Sequence, residues 1–204
     1  MTISLSASRP IRSFGAVKEW TIGSCPEALT INNGGLAGSG VGTAAIQIAK
    51  AHNANVVATA GSDAKLKKAV ELGADYTVNH STKKISEEAR KYSEGRGVDV
   101  VIEHPGKATW EESLRSVARG GRIVTCGATT GYDASTDIRY VFAKEITIFG
   151  SYVGGSGELL MVLELFKQRR LRPVVDISMP LSRARDAQVR MEKGEHFGKI
   201  VLTP

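Results

Sequence analysis

A glycine-rich segment between a short apolar run and a helical pattern constrains this chain more than any other feature. The segment 36–42 reads LAGSGVG and joins the apolar run 28–31 to a helical pattern over 41–50. A strand that turns through glycines into a helix N-terminus can bind a pyrophosphate, because backbone N–H groups and the helix dipole then face the anion. The strict G-x-G-x-x-G spacing is not met, since Ala37 and Ser39 stand where the first two glycines belong. A tight turn, a helix N-cap or close strand packing would together explain the isolated segment as well as a phosphate site does.

The residues after the helix complete a βαβ unit and bear on the choice of cofactor. A second strand over 54–60 ends the unit after about 30 residues, the length typical of a dinucleotide-binding motif. An NAD site usually has an acidic residue at the end of this strand, whereas this chain has Ala60, followed by Ser62 and Lys65. The Ser62 hydroxyl and the Lys65 ammonium could bind a 2′-phosphate there. The sequence therefore favours NADP over NAD, with the alternative that Lys65 is a solvent-facing helix residue and Asp63 an ordinary N-cap.

Strand and helix patterns alternate along most of the chain. Further strands are predicted at 76–79, 98–103, 122–127 and 145–151, and further helices at 63–72, 84–93, 109–119 and 157–170. This alternation predicts an α/β fold, a doubly wound, Rossmann-like parallel sheet with helices on both faces. The last thirty or so residues break the rhythm, with extended segments over 173–180, a helix over 181–193 and a strand over 198–202. They are interpreted as a C-terminal tail that completes another domain.

Composition and charge are those of an ordinary globular protein. The chain has 204 residues, of which 42% are hydrophobic and 24% charged, and a formal net charge of +6. Its length suits one doubly wound domain with extensions. The lysines and arginines are scattered along helices without interleaved aromatic residues, so solvated helix faces are favoured over a nucleic-acid groove. No apolar run reaches the length of a membrane span, and membrane association is not expected.

The cysteines, the histidines and the N-terminal residues bear on cellular location, metal binding and targeting. Cys25 and Cys126 are too few for a disulfide framework, which favours a reducing, cytoplasmic location. The four histidines lie far apart without ligand spacing, so no zinc or other metal site is expected in this chain. Residues 1–18 are rich in serine and lack acids, as in an organellar transit peptide, but a frayed or truncated start is the favoured explanation. Residues 1–25 are expected to form a poorly ordered leader.

Taken together, these segments resemble the medium-chain dehydrogenase/reductase superfamily, in its quinone oxidoreductase and zinc-type alcohol dehydrogenase branches. The resemblance spans roughly residues 26–204 and rests on the order and spacing of short motifs at 37–50, 59–65, 72–75, 97–101, 120–127, 171–174 and 198–202. It implies a dinucleotide-binding domain over 26–172 and a C-terminal extension over 173–204, the remnant of a catalytic domain. It also implies an oxidoreductase that transfers hydride between a nicotinamide, NADP or NAD, and a carbonyl or quinone of a small-molecule substrate.

The resemblance also assigns cofactor positions. It places the phosphate loop, Gly38, Ser39, Gly40, Val41 and Gly42, at the pyrophosphate. It places Ser62 and Lys65 at the adenosine ribose or its phosphate, and His80 where relatives often have a tyrosine beside that phosphate. The strand-end residues that it places near the nicotinamide are Cys126, Gly127, Phe149 and Ser151. For His80 an exposed loop histidine is an equally good interpretation, and for Cys126 a buried small apolar residue is the better one.

The chain departs from the family because fewer than forty residues precede its glycine loop, where relatives carry a catalytic domain. No residue is a convincing proton donor or metal ligand, and no catalytic residue is assigned. A non-catalytic dinucleotide-binding domain, or a fragment of a larger dehydrogenase, is therefore the alternative function, and single-stranded RNA binding is a third, supported only by charge. The apolar segment 145–153 predicts an edge strand through which relatives form a homodimer.

Overall fold

The computed structural model describes residues 29–31 and 36–204, with side chains from Ala37 onwards. The predicted leader, residues 1–25, lies outside the described residues. Eight strands are described, with bounds β1 (Leu29–Ile31), β2 (Val56–Ala60), β3 (Tyr76–Asn79), β4 (Val98–Glu103), β5 (Val117–Thr125), β6 (Thr147–Gly150), β7 (Val175–Pro180) and β8 (Lys199–Thr203). The α-helices are α1 (Gly40–Ala51), α2 (Asp63–Glu71), α3 (Ile85–Tyr92), α4 (Trp110–Ser116), α5 (Ile138–Ala143), α6 (Ser156–Lys167) and α7 (Ala184–Glu192).

Six strands form one parallel sheet in the order β3-β2-β1-β4-β5-β6. Strand β1 pairs with β2 on one side and with β4 on the other, both in parallel register. The chain therefore reverses its direction of winding between β1 and β4, and ligands of open α/β sheets bind in the crevice at such a switch point. The predicted doubly wound parallel sheet is confirmed.

The sheet is buried on both faces. Every residue of β2 is buried, as its apolar run over 56–60 requires in a parallel sheet covered by helices. Val56, Ala58 and Ala60 join a core with α1 and α2, whereas Val57 joins a second core with α3 and α4. Alternate side chains of a strand point to opposite faces, so one apolar strand serves two cores.

Helix α4, which follows β4, ends three residues before the end that the sequence predicts at residue 119. Helix α4 ends at Ser116, where the Lys144 ammonium donates hydrogen bonds to the carbonyls of Leu114 (2.9 Å), Arg115 (3.1 Å) and Val117 (2.9 Å). A cation at the carbonyl end of a helix satisfies groups that have no intrahelical partner. Because Val117 already pairs with Val98 of β4, strand β5 begins at once. Helix α5, just before Lys144, lies in a segment for which the sequence patterns predicted neither helix nor strand.

Helix α6 exposes an apolar surface. None of its residues is buried, and Leu160 is 67% exposed. Strand β6, which precedes it in the chain, lies at the edge of the sheet and is shorter than the predicted strand 145–151. No helix within the described part of the chain combines the length and the apolar character that crossing a membrane requires.

The C-terminal segment packs against the glycine loop. Strands β7 and β8 form a separate parallel pair, and the turn before β8 contacts Gly38, whose carbonyl accepts a hydrogen bond from the Gly198 N–H at 2.6 Å. Phe197 is 4% exposed, and Lys68 of α2 lies over its ring. The Asp176 side chain, 3% exposed, pairs with Arg190 at 2.8 Å and Lys68 at 3.4 Å. Residues about 160 positions apart in sequence therefore meet at one surface.

Gly198 has a φ of +94°, and a Cβ there would collide with the Val174 carbonyl. We expect Gly198→Ala to lower the free energy of unfolding by at least about 2 kcal/mol, because both strain and overlap oppose the native turn. Chemical denaturation measures this change. Gly157→Ala is the matched control, since a Cβ at Gly157 meets nothing within 4 Å. Equal stabilities of the two variants would contradict the role assigned to this turn.

Candidate cofactor site

The glycine loop presents backbone N–H groups at the start of α1. A 3₁₀ turn over Leu36–Gly38 leads into α1, and the N-cap Ser39 accepts a hydrogen bond from the Gly42 N–H at 3.0 Å. The first N–H groups of a helix have no intrahelical partners and attract an anion. The side chain of Val41 packs against the core, so this residue faces the loop through its backbone. The loop thus has the form of a phosphate cradle.

Lys199 lies over this loop, although the sequence pattern did not assign it to the site. A Cβ built on Gly40 would lie 2.5 Å from the Lys199 Nζ, so the glycine provides the space that the lysine occupies. This cation comes from β8 and stands at the helix N-terminus, where two negative phosphates would be bound. Its place in the closing motif 198–202 was the only signal in the sequence, and that signal does not reveal the contact.

The end of β2 places Ser62 and Lys65 beside the loop. Ser62 is the N-cap of α2 but makes no capping hydrogen bond through its side chain, and Asp63 accepts one from the Asn79 amide at 2.7 Å. Lys65 is half-buried, and its Cδ would lie 3.5 Å from a Cβ on Gly38. Burial lowers the pKa of Lys65, an effect that Asp176 partly opposes. Lys65 is therefore not a freely solvated helix lysine.

Ala60 and His80 complete this end of the site. Ala60 is fully buried in the core, so an acid substituted here would enter the core. The His80 Nε2 would lie 3.3 Å from a Cβ on Gly61, directly after β2. Its Nδ1 is buried and has no hydrogen-bond partner. Burial, followed by the charge of Lys65, lowers the pKa of His80, so the ring is neutral at neutral pH. His80 therefore lies near Lys65 and is partly buried rather than exposed.

The four residues predicted near the nicotinamide follow or end strands at the same edge of the sheet. The Cys126 N–H donates to the Glu103 carbonyl at 3.0 Å, and the Ser151 N–H donates to the Thr125 carbonyl at 2.8 Å. His104 covers Gly127, where a Cβ would lie 2.7 Å from the ring. The side chain of Phe149 is partly buried against the core. Burial raises the pKa of the Cys126 thiol, so this cysteine is not an activated nucleophile.

A buried carboxylate organises the loop that follows β4. Glu103 is fully buried and accepts hydrogen bonds from the Thr109 hydroxyl (2.8 Å), the Gly106 N–H (3.1 Å) and the Ser113 hydroxyl. Both oxygens are engaged, so the charge is compensated by fixed donors. This network joins β4 to the first turns of α4 and holds the loop that carries His104. The sequence patterns gave Glu103 only as the last residue of a predicted strand and did not reveal this structural role.

A concave surface lies apart from these residues. A cleft of about 430 Å³ between α3, α4 and α5 contains none of the residues predicted to bind cofactor. Its charged groups pair with one another, as in the ion pairs Lys84–Glu87 and Arg115–Glu111. Among the residues with described side chains, no group of three or more His, Cys, Asp and Glu is placed to hold a metal ion.

Comparison with known proteins identifies relatives of the same architecture. Residues 40–168 match the family model described as zinc-binding dehydrogenase. An NAD-dependent alcohol dehydrogenase of Sulfolobus acidocaldarius is 35% identical over 171 residues, which cover 81% of this chain and 48% of the relative. Quinone oxidoreductase-like protein 2 of Mus musculus is 30% identical over 177 residues, covering 82% of this chain and 51% of that protein.

Solved structures agree with these matches. The crystal structure of an NAD-dependent alcohol dehydrogenase superposes with a TM-score of 0.80 at 38% identity, and covers 88% of this chain and 51% of the other. The chain thus spans about half the length of the relatives it matches.

Replacing Glu103 by Gln tests the buried network. We expect Glu103→Gln to lower the free energy of unfolding by about 2 kcal/mol, because the amide replaces one acceptor oxygen with an N–H₂ group that faces a donor. Denaturant unfolding measures the change. Glu111→Gln is the control, since Glu111 sits in an exposed pair on α4 and its loss leaves stability nearly unchanged. A Glu103→Gln protein as stable as wild type would refute this role.

Proposed function

The chain belongs to the zinc-binding dehydrogenase family of the medium-chain dehydrogenase/reductase superfamily, and from this premise we propose that it binds NADP(H) along the carboxyl edge of its six-stranded sheet. The observation that carries the proposal is the phosphate loop with Lys199 above it. Backbone N–H groups of Gly40 and Val41 and the Lys199 ammonium lie there at the α1 N-terminus, where the Gly42 N–H is bound to the N-cap Ser39. These donors fit a pyrophosphate.

The preference for NADP over NAD rests on the groups at the end of β2. Ser62 offers a hydroxyl, and Lys65 and His80 offer donors around the position of the adenosine ribose. The nearby acid, Asp63, is hydrogen-bonded to Asn79. A 2′-phosphate gains charge-assisted hydrogen bonds in such a setting, whereas a bare ribose does not. The archaeal relative is named for NAD, so NAD is the competing cofactor.

The reaction we propose is hydride transfer between the nicotinamide and a carbonyl or quinone substrate. The cofactor supplies the hydride chemistry, while the chain holds and orients it. Cys126, Gly127, Phe149 and Ser151 lie at strand ends where a nicotinamide extending from the phosphate loop would be placed. A non-catalytic dinucleotide-binding domain is the second candidate, since all residues argued above act on the cofactor and none on a substrate. The domain bounds 26–172 and 173–204 and the cytoplasmic location belong to the same proposal.

We also propose that two copies pair through β6. This strand lies at the sheet edge, and Ile148 is 38% exposed on it. An exposed strand edge with apolar side chains invites pairing with another chain. The exposed apolar surface of α6 lies next in sequence and is interpreted as a face covered by further protein.

Two lysine variants separate the phosphate subsites. We expect Lys199→Ala to weaken both NADPH and NADH about tenfold, or about 1.4 kcal/mol, because both cofactors carry the pyrophosphate. Lys65→Ala should weaken NADPH about tenfold and leave NADH nearly unchanged, because only NADPH has the 2′-phosphate. Titration of nicotinamide fluorescence measures both dissociation constants.

Lys67→Ala, an exposed lysine on the same helix as Lys65, is the control and should change neither constant. Equal losses for both cofactors in Lys65→Ala would show that Lys65 does not recognise the 2′-phosphate. No binding of either cofactor by the unmodified protein would overturn the proposed function.

The pairing through β6 predicts a dimer in solution. Light scattering should give about twice the mass of one chain, and Ile148→Lys should yield monomers by placing a charge at the strand edge. Val70→Lys provides a control, because Val70 is also an exposed apolar residue but lies on α2. A monodisperse monomer at micromolar concentration of the unmodified chain would exclude this interface.

A further inference from the structure

His196 lies beside the phosphate loop, in the turn between α7 and β8. The His196 carbonyl would lie 3.3 Å from a Cβ on Gly38, and the Lys65 side chain would lie 3.5 Å from the same point. The Lys65 Nζ lies near Gly194 of the same turn, 3.9 Å from where its Cβ would be. Lys65 of α2 and the His196 turn therefore meet at Gly38.

His80 approaches Lys65 from the loop after β3. Its ring packs against Gly61, and the charge of Lys65 acts on both His80 and His196. In each ring the Nδ1 is buried and has no hydrogen-bond partner. Lys65, His80 and the His196 turn thus belong to three separate elements and lie near one another, and each imidazole has one ring nitrogen without a hydrogen-bond partner.

The acids near this cluster are engaged with other groups. On α2, Asp63 accepts from Asn79. On β7, Asp176 pairs with Arg190 and Lys68, and on the His196 turn Glu195 lies 3.8 Å from Arg190. Within the described part of the chain no carboxylate forms an ion pair with Lys65 or Lys199. The cluster consequently carries an excess of positive charge that an anion could compensate.

The free imidazoles are neutral near pH 7. Burial is the largest cause that lowers the pKa of each, and the charge of Lys65 follows. Around His196, Asp176 raises the pKa, whereas Arg190 and Lys199 lower it. An anion bound beside Lys65 would oppose the effect of the Lys65 charge, because its negative charge favours the protonated form of both rings.

We propose that His196, together with His80 and Lys65, forms a proton-linked site for the 2′-phosphate of NADPH, so that this cofactor binds with uptake of protons by the two imidazoles. The proposal rests on the proposed function, and it adds a specificity residue from the C-terminal segment. NADH, which has no 2′-phosphate, binds without this uptake.

The direction in which pH changes NADPH affinity follows from how bound phosphate shifts the pKa of the imidazoles. Bound phosphate raises the pKa of the imidazoles above their values in the free protein, so the complex holds more protons than the free components. NADPH affinity therefore rises as pH falls from about 8 to about 6.5, by up to about tenfold per pH unit for each proton taken up. Below about pH 6 the phosphate itself becomes protonated and the gain levels off. Discrimination between NADPH and NADH increases over the same range.

The test is calorimetric titration of the full chain with NADPH and with NADH at constant ionic strength between pH 6.5 and 8. Each titration is repeated in two buffers of different ionisation enthalpy, which yields the number of protons bound. We expect between about 0.5 and 2 protons for NADPH near pH 7 and a much smaller number for NADH. The histidine ring resonances, recorded by NMR against pH, should show the pKa values of His80 and His196 raised by NADPH only.

His196→Asn should reduce the proton uptake and flatten the pH profile of NADPH affinity while NADH binding stays unchanged. His52→Asn is the matched control, since His52 is an exposed histidine at the end of α1, and it should keep the wild-type profile. Binding of both cofactors with equal pH profiles, or a His196→Asn profile equal to wild type, would overturn this proposal alone. Absence of binding by either cofactor would overturn the proposed function and this proposal with it.

Discussion

The parallel pairing of β1 with both β2 and β4 is the constraint on which the rest of the structure depends. Since all six strands run the same way, every loop that follows a strand emerges at one edge. The direction of winding reverses between β1 and β4, where open α/β sheets bind their ligands, and the glycine loop lies between β1 and α1 in the chain. The burial of β2 and β4 on both faces fixes their register, because a slip by one residue would exchange the two cores.

The candidate site depends further on how the C-terminal segment packs against this edge. The hydrogen bond from Gly198 to Gly38 and the burial of Phe197 hold the turn before β8 on the glycine loop. That contact delivers Lys199 to the α1 N-terminus and His196 to the side of Lys65. Two lysines about 130 residues apart in sequence, Lys65 and Lys199, thus come together at the glycine loop. The buried Asp176 supports the arrangement: burial opposes its ionisation, but hydrogen bonds from Arg190 and Phe197 outweigh this, and the pKa of the carboxyl is lowered.

Local sequence patterns were sufficient to predict the strands of the sheet, but not the contacts that distant segments make around it. The β-branched runs of β2 and β4 carry their signals within a few residues, and these strands were predicted at nearly their observed bounds. The end of α4 was wrong because it is set by Lys144, about 30 residues away. Lys199 and His196 escaped prediction because their roles arise from packing between segments about 160 residues apart. The burial of Ala60 likewise depends on neighbours in space.

The central claim is that a dinucleotide lies along the carboxyl edge of this sheet, with its phosphates at the glycine loop. Backbone amide NMR of the full chain during titration with NADPH tests it most directly. The account predicts saturable shifts concentrated at residues 38–42, 60–65 and 196–199, with little change in the cleft between α3, α4 and α5. The absence of shifts at the glycine loop at millimolar NADPH, or shifts confined to that cleft, would contradict it.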